Sequence, residues 1–214
     1  VSTPSDPRPA LLIDGIRRLD LDVRPDQCAV LIQFLDLLEK WNRVYSLTAI
    51  EPGPAMVRRH LLDSLAMLPY ISGPRVLDLG TGPGLPGIPF AVARPDWRLT
   101  LLDANRKKAR FVQQAVLELR LVNVEVVNAR AEDFQPPQPF DTVVTRAVST
   151  ASATVQLAQH LIAVKGGRLV LMKGSYPQSE LTELPAGFRV MAVHEVAVPG
   201  LDAERHAVII QPPN

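Results

Sequence analysis

A single cysteine, Cys28, in a chain of 214 residues excludes an intrachain disulfide and cannot complete a thiolate metal centre. Such sparing use of cysteine fits a reduced compartment, and the expected fate of this thiol is that of a small buried apolar side chain. The four histidines do not cluster at ligand spacing, so no metal is expected. No apolar run approaches the roughly 20 residues that a bilayer span requires. The opening VSTPSDPRPA is polar and proline-rich, without the charged start and apolar stretch of a signal peptide. A cytoplasmic setting is therefore expected, with no membrane partner. Neither a G-x-S-x-G elbow nor a P-loop lysine occurs, which argues against hydrolase and phosphoryl-transfer chemistry. An excess of one charge is missing as well: Lys and Arg number 23 against 22 Asp and Glu, for a net +1. That balance neither demands nor excludes nucleic acid.

What is present is an ordinary globular composition, 47% hydrophobic and 21% charged, in a length suited to one large domain or one domain with a small appendage. Leu31, Phe34, Leu35, Leu38 and Trp41 recur at spacings of three and four, placing them with Cys28 on one helical face. After the Pro52-Gly53-Pro54 loop, Val57, Leu61, Leu65 and Leu68 repeat the pattern. From Arg75 the texture changes to short apolar runs alternating with helical stretches, the signature of βαβ units around a parallel sheet. The runs are Val76-Leu77-Asp78-Leu79, then Arg98 to Leu102, then Val124 to Val127, Thr142-Val143-Val144 and Leu169-Val170-Leu171. A helix carrying Phe111, Val112, Ala115, Val116 and Leu119 follows the second. Two β-rich runs, Val190 to Val198 and His206 to Ile210, read as a terminal antiparallel pair. The organisation expected is a helical region over residues 1–72 packed on a doubly wound α/β domain over 73–214.

The strand at Val76 to Leu79 ends in a cluster of glycines that can be read in two registers. Gly82, Gly84 and Gly87 fit the G-x-G-x-x-G of a dinucleotide site, with Asp103 about 20 residues on to grip a ribose. That register implies an NAD-dependent oxidoreductase. Prolines at 83, 86 and 89, however, remove backbone N–H groups from the stretch that would cradle a diphosphate. In the other register Asp78 closes the strand and Gly80, Gly82 and Gly84 make room for a ligand without phosphate, such as S-adenosylmethionine. Asp103 could then accept hydrogen bonds from both ribose hydroxyls. This second register is the stronger, and the turn Val164 to Arg168, entering a strand at Leu169, is similar to one found in many class I methyltransferases.

More specific are Trp41-Asn42-Arg43 with Leu47-Thr48-Ala49, Arg59-His60-Leu61-Leu62-Asp63-Ser64, and Leu77 to Gly87. They continue with Arg130-Ala131-Glu132, Phe140-Asp141, Thr145-Arg146-Ala147, Lys173-Gly174 and Leu201-Asp202-Ala203-Glu204-Arg205-His206. On these segments, in order from about Ala10 to Ile210, the chain resembles the ribosomal RNA small subunit methyltransferase G family, also called glucose-inhibited division protein B. Ser46 and Val148 depart from the family pattern, where asparagine and phenylalanine are usual. The resemblance implies a Rossmann-like class I methyltransferase fold with a seven-stranded sheet, and methyl transfer from S-adenosylmethionine to N7 of a guanine in 16S rRNA. Carried over residue by residue, the family's cofactor contacts fall on Gly80, Leu85, Ala131, Glu132 and Arg146; Asp78, Gly82 and Asp103 join them from the glycine-loop reading.

Guanine N7 carries a free acceptor lone pair, so it can attack a sulfonium methyl without prior deprotonation. Catalysis then reduces to alignment, and Arg146, just past the fourth strand, is the residue expected to position cofactor or guanine. For RNA contact the candidates are Arg58, Arg59, His60, Arg130 and Lys173. Arg106-Lys107-Lys108 and Arg110 read instead as a solvated helix face, and His60 with Asp63 as a possible local hydrogen-bonded pair. A methyltransferase for a small molecule or a protein, the oxidoreductase, and a catalytically silent RNA-binding module remain as alternatives.

Overall fold

The computed structural model describes residues 6–146 and 149–213. Val148, one of the two family departures, lies outside them. Seven strands form one sheet in the order β3-β2-β1-β4-β5-β7-β6. They are β1 (Arg75–Leu79), β2 (Arg98–Leu102), β3 (Val124–Val127), β4 (Thr142–Thr145), β5 (Arg168–Lys173), β6 (Arg189–Glu195) and β7 (His206–Gln211). The first five pair in parallel, and β7 runs antiparallel between β5 and β6. Strands covered on both faces need continuous apolar side chains, which is why β4 and most of β1 and β5 are buried along their length. Edge strand β6 is only partly covered, and its register slips between Val190 and Ala192.

Helices lie on both faces. One face carries α5 (Gly87–Ala93) and α6 (Arg106–Glu118), and the helical N-terminal region adds a further layer there. That region consists of α1 (Arg8–Arg18), α2 (Pro25–Tyr45), α3 (Pro54–Met56), a π-helical turn Val57–Leu62, and α4 (Asp63–Leu65). On the predicted face of α2, Cys28, Leu31, Phe34, Leu35 and Leu38 turn inward, and Trp41 near its end is partly buried. Phe34 and Trp41 meet Phe111 of α6 with ring centroids 6.3 and 5.7 Å apart, and Gln27 Nε2 donates to Val92 O of α5 at 2.6 Å. A single apolar cluster thus runs from Leu12 through Phe34 to Val144 and Ala207. The opposite face is covered by α7 (Ala151–Ala158), and α8 (Gln178–Leu181) lies against α7.

Chain order changes direction between β1 and β4, which are neighbours although two strands intervene in sequence. In an open α/β sheet the crevice outside the carboxyl ends of such strands is where ligands bind. Gly80 follows β1, Asp103 follows β2 and Arg146 follows β4, so the topology delivers all three to that crevice.

Candidate functional site

Immediately after β1 the chain turns back through Gly80, Gly82 and Gly84 at φ +70°, +59° and +89°, a region that a side chain with Cβ enters only with strain. The turn is stitched to its surroundings. Gly80 N and Thr81 N donate to Leu102 O, Gly82 N to Asp103 Oδ2 at 2.8 Å, Gly84 N and Leu85 N to Thr81 O, and Ile88 N to Gly84 O. Gly87 N and the Thr81 hydroxyl both donate to Asp78 Oδ2, at 2.7 and 2.6 Å. Prolines 83 and 86 have no N–H to give. Every backbone donor from Gly80 to Ile88 is therefore already committed, and none is free to cradle a diphosphate. This removes the physical basis of the dinucleotide register, in which those donors must face the ligand.

The same turn leaves space where a phosphate-free ligand needs it. A Cβ added at Gly80 or Gly82 would meet nothing within 4 Å. Beside Gly80 opens a cavity of about 540 Å³, lined by Leu79, Leu102, Asp103, Arg130, Glu132 and Arg146 among others. Its volume lies in the range of small-molecule sites, and its wall also includes Ala131, Thr145, Ser149 and Leu157. Of the expected cofactor residues, Gly80, Asp103, Ala131, Glu132 and Arg146 come together around this space. Asp78, Gly82 and Leu85 do not line it.

Asp78 is wholly buried under the turn, where its Oδ2 anchors Gly87 and Thr81 and its Oδ1 has no partner. Burial pushes its carboxyl up to about 6, against the lowering effect of the two hydrogen bonds. It shapes the loop from below and offers the cavity no atom. Asp103 also differs from the simple ribose-gripping picture, since each oxygen already accepts one backbone N–H: Oδ2 from Gly82 and Oδ1 from Asn105 at 2.7 Å. One lone pair per oxygen remains for a ligand's hydroxyls.

A second cavity, about 390 Å³, opens beside the first and is lined by Thr48, Arg59, His60, Asp63, Met172 and Arg205 among others. Arg146 lines both. Its Nη1 lies 3.9 Å from Asp63 Oδ2, while Asp63 Oδ1 accepts from Arg205 Nε at 2.6 Å. Burial lowers the Arg146 pKa, opposed by Asp63 and Asp78.

The RNA-contact candidates divide. Arg59 is exposed at the second cavity, and Arg130 is exposed and paired with Glu132 at 3.3 Å. Arg58 is partly buried, with its side chain against Gly200. His60 lines the second cavity but is only 4% exposed, and burial together with nearby Arg146 drops its pKa to about 4. The neutral ring contacts Thr48 Oγ1 at 3.0 Å, with no hydrogen bond to Asp63. Lys173 also lines the second cavity, its ammonium donating to Glu180 Oε2 at 2.7 Å and Ser149 O at 2.8 Å.

Sequence reasoning gave no role to Arg205, Thr48 or Asn42. Asn42 brackets the Thr48 backbone with both side-chain atoms, at 2.9 and 2.8 Å, and so shapes the loop that walls the second cavity. The resemblance contained these residues, but no local spacing connects them. Among the described residues no cluster of His, Cys, Asp or Glu is placed to hold a metal, and no helix is long and apolar enough to cross a membrane.

Comparison with known proteins agrees with this geometry. At 50% identity the chain is similar to the ribosomal RNA small subunit methyltransferase G of Laribacter hongkongensis, over 91% of this chain and 93% of the relative. The protein of the same name from Chromobacterium violaceum is also 50% identical, over 93% of this chain and 95% of the relative. Among solved structures, Aeropyrum pernix fibrillarin, crystallised with S-adenosyl-L-methionine, shares the fold at TM-score 0.53 and 17% identity, covering 70% of this chain and 72% of its own. A family profile described as rRNA small subunit methyltransferase G matches residues 27–209, and to that family the chain belongs.

Proposed function

We propose that this chain transfers a methyl group from S-adenosylmethionine to N7 of a guanine in 16S rRNA. The observation that carries the reading is Arg146 lining two adjoining cavities, one suited to a phosphate-free nucleoside and one open beside it. A base entering the second cavity can then reach what the first holds. The names of the relatives support small-subunit rRNA as the substrate, and such a substrate would put the chain in the cytoplasm.

S-adenosylmethionine, when bound, supplies an electrophilic methyl carbon on a sulfonium. The residues of the chain do the rest. The glycine turn after β1 leaves room for the nucleoside, the free lone pairs of Asp103 receive ribose hydroxyls, and Ala131 and Glu132 close the rim. Arg146, steadied by Asp63, would orient the incoming guanine, whose N7 already carries the lone pair needed to accept a methyl group. No general base is needed, in keeping with a neutral His60 already engaged by Thr48. Alignment of this kind can supply up to about 7–11 kcal/mol of a barrier.

The test is a labelled-methyl assay with small ribosomal subunits lacking the modification, naked 16S rRNA, and unrelated RNA and protein, paired with calorimetry against S-adenosylmethionine and NAD. Label should appear at one guanine of 16S rRNA, as N7-methylguanine on nucleoside digestion, and heat should appear only with S-adenosylmethionine. Label on another atom, or on protein alone, overturns the reading.

A further inference from the structure

We propose that the cationic face of α6, carrying Arg106, Lys107, Lys108 and Arg110, is a docking surface for the RNA phosphate backbone beside the reaction cavity. The inference rests on the RNA reading above and adds to it a second contact area outside both cavities.

Sequence alone favours a solvated helix face, but three structural relationships point to an anionic partner. The first is an unrelieved charge clash. In α1 and α2 the last turns carry Arg17, Arg18 and Arg43, as the macrodipole favours, and α2 has Asp26 in its first; Arg8 at the start of α1 is relieved by Asp6, Asp36 and Glu39. In α6 the first turn holds no acid and three cations, at the end where the dipole is already positive. Arg106 and Arg110, four apart, add like-charge repulsion. Such a local violation of a stability rule is expected where function requires it.

The second relationship is the absence of counter-charge. Arg8, Arg17, Arg24, Arg94, Arg130, Arg146, Lys173 and Arg205 each have a carboxylate within 4.0 Å. Among the described residues none of the four α6 cations has one, and Arg106, Lys107 and Arg110 are exposed.

The third is position. Asp103 and Ala104 line the first cavity, and Asn105, bonded to Asp103, caps α6 through Lys107 N and Lys108 N at 3.0 and 3.3 Å. The cations therefore begin two residues from the cavity wall. Exposed cations without a carboxylate partner suit RNA, whose phosphates they neutralise. Other cations without a carboxylate within 4.0 Å include Arg59, at the second cavity, and Lys165 and Arg189, which lie at the opposite end of the sheet, before β5 and at the start of β6. That end is remote from the reaction crevice.

The experiment compares Lys107→Gln/Arg110→Gln with a charge-matched control, Lys165→Gln/Arg189→Gln, in the full chain. Binding to an in vitro 16S transcript is followed by filter retention from about 50 to about 200 mM salt. The α6 variant should lose about 2 from the slope of log K against log salt, with the control unchanged. Its calorimetric affinity for S-adenosylmethionine should be that of the unaltered chain, and its melting temperature should be no lower, since two repelling charges have gone. An unchanged slope overturns the proposal, as does an equal loss in the control or a lower melting temperature without a slope change. Binding and methyl transfer are read separately. A chain that binds the transcript through α6 but methylates nothing would sink the proposed reaction and leave this surface standing.

Discussion

Arg205 and Asp63, 142 residues apart in the chain, meet at 2.6 Å, guanidinium Nε to carboxylate Oδ1. The π-helical turn preceding α4 brings Asp63 inside, where its side chain is 4% exposed, and the link between β6 and β7 carries Arg205 across to it. The other carboxylate oxygen faces Arg146. The first and last thirds of the chain thus converge on the residue that joins the two cavities.

Asp63→Asn should therefore damage both stability and rate. Two guanidiniums lose their shared anion, and removing one partner of such a group costs about 1–3 kcal/mol. The figure belongs at the low end because both arginines are partly exposed to solvent. Rate should suffer more, since a side chain displaced by about 1 Å can cost about 10²-fold. Urea unfolding and single-turnover methyl transfer would check the two separately; wild-type turnover in the variant would free Arg146 from any dependence on Asp63.

Two glycines in one turn should fail in different ways. At Gly80 a Cβ meets nothing within 4 Å but must adopt φ +70°, a strain of about 1–2 kcal/mol. Gly80→Ala should thus fold, yet lose affinity for S-adenosylmethionine, because the added methyl enters the space beside the cavity. At Gly87 a Cβ would overlap the Leu101 side chain and crowd Asp78. Gly87→Ala should be the less stable protein, by about 1–3 kcal/mol for overpacking. Calorimetry and denaturation on the pair would show the split, and equal behaviour would contradict it.

Much of this architecture was legible in the chain because local patterns suffice for it. The apolar runs at Val76, Leu99, Val143 and Leu169 became parallel strands, and the α2 stripe was buried as its spacing required. The glycine turn was legible too, though its decisive property, that every N–H is spent internally, depends on Leu102 and Asp103, which lie a full crossover later. What local spacing could not supply was the company each side chain keeps. Thr48 and Arg146 reach His60, and Glu180 reaches Lys173, from other segments of the chain. Amphipathic spacing at Val57, Leu61 and Leu65 identified a buried face and could not announce the π-helical turn within it.

His60 should make stability depend on pH in a definite direction. Its folded pKa, about 4, lies below the ordinary 6.5, so over that interval the unfolded chain binds a proton that the folded chain refuses. Its contribution is present above about 6.5 and is lost as pH falls toward 4. Following the ring resonances of His60 by NMR should show no titration near 6.5, and a midpoint there would refute its burial as a neutral ring.

Asp78 works in the opposite sense over nearly the same range. Its carboxyl is raised from 3.8 to about 6 in the fold, so between those values the folded chain holds a proton that the unfolded chain has released. Stability from this group therefore falls as pH rises from about 4 to 6 and is level beyond. With His60 pulling the other way, the intact protein should show a flatter profile than either group alone would impose. Substitution unmasks each. Asp78→Asn cannot ionise and keeps an acceptor for Gly87 N–H, so its stability should climb with pH through this window, on the order of 1 kcal/mol per unit. His60→Gln should decline over the same window, because only Asp78 remains to titrate. Urea unfolding of the three proteins at half-unit intervals of pH tests the pair together, and parallel curves would show that neither buried group carries the shift that its surroundings impose.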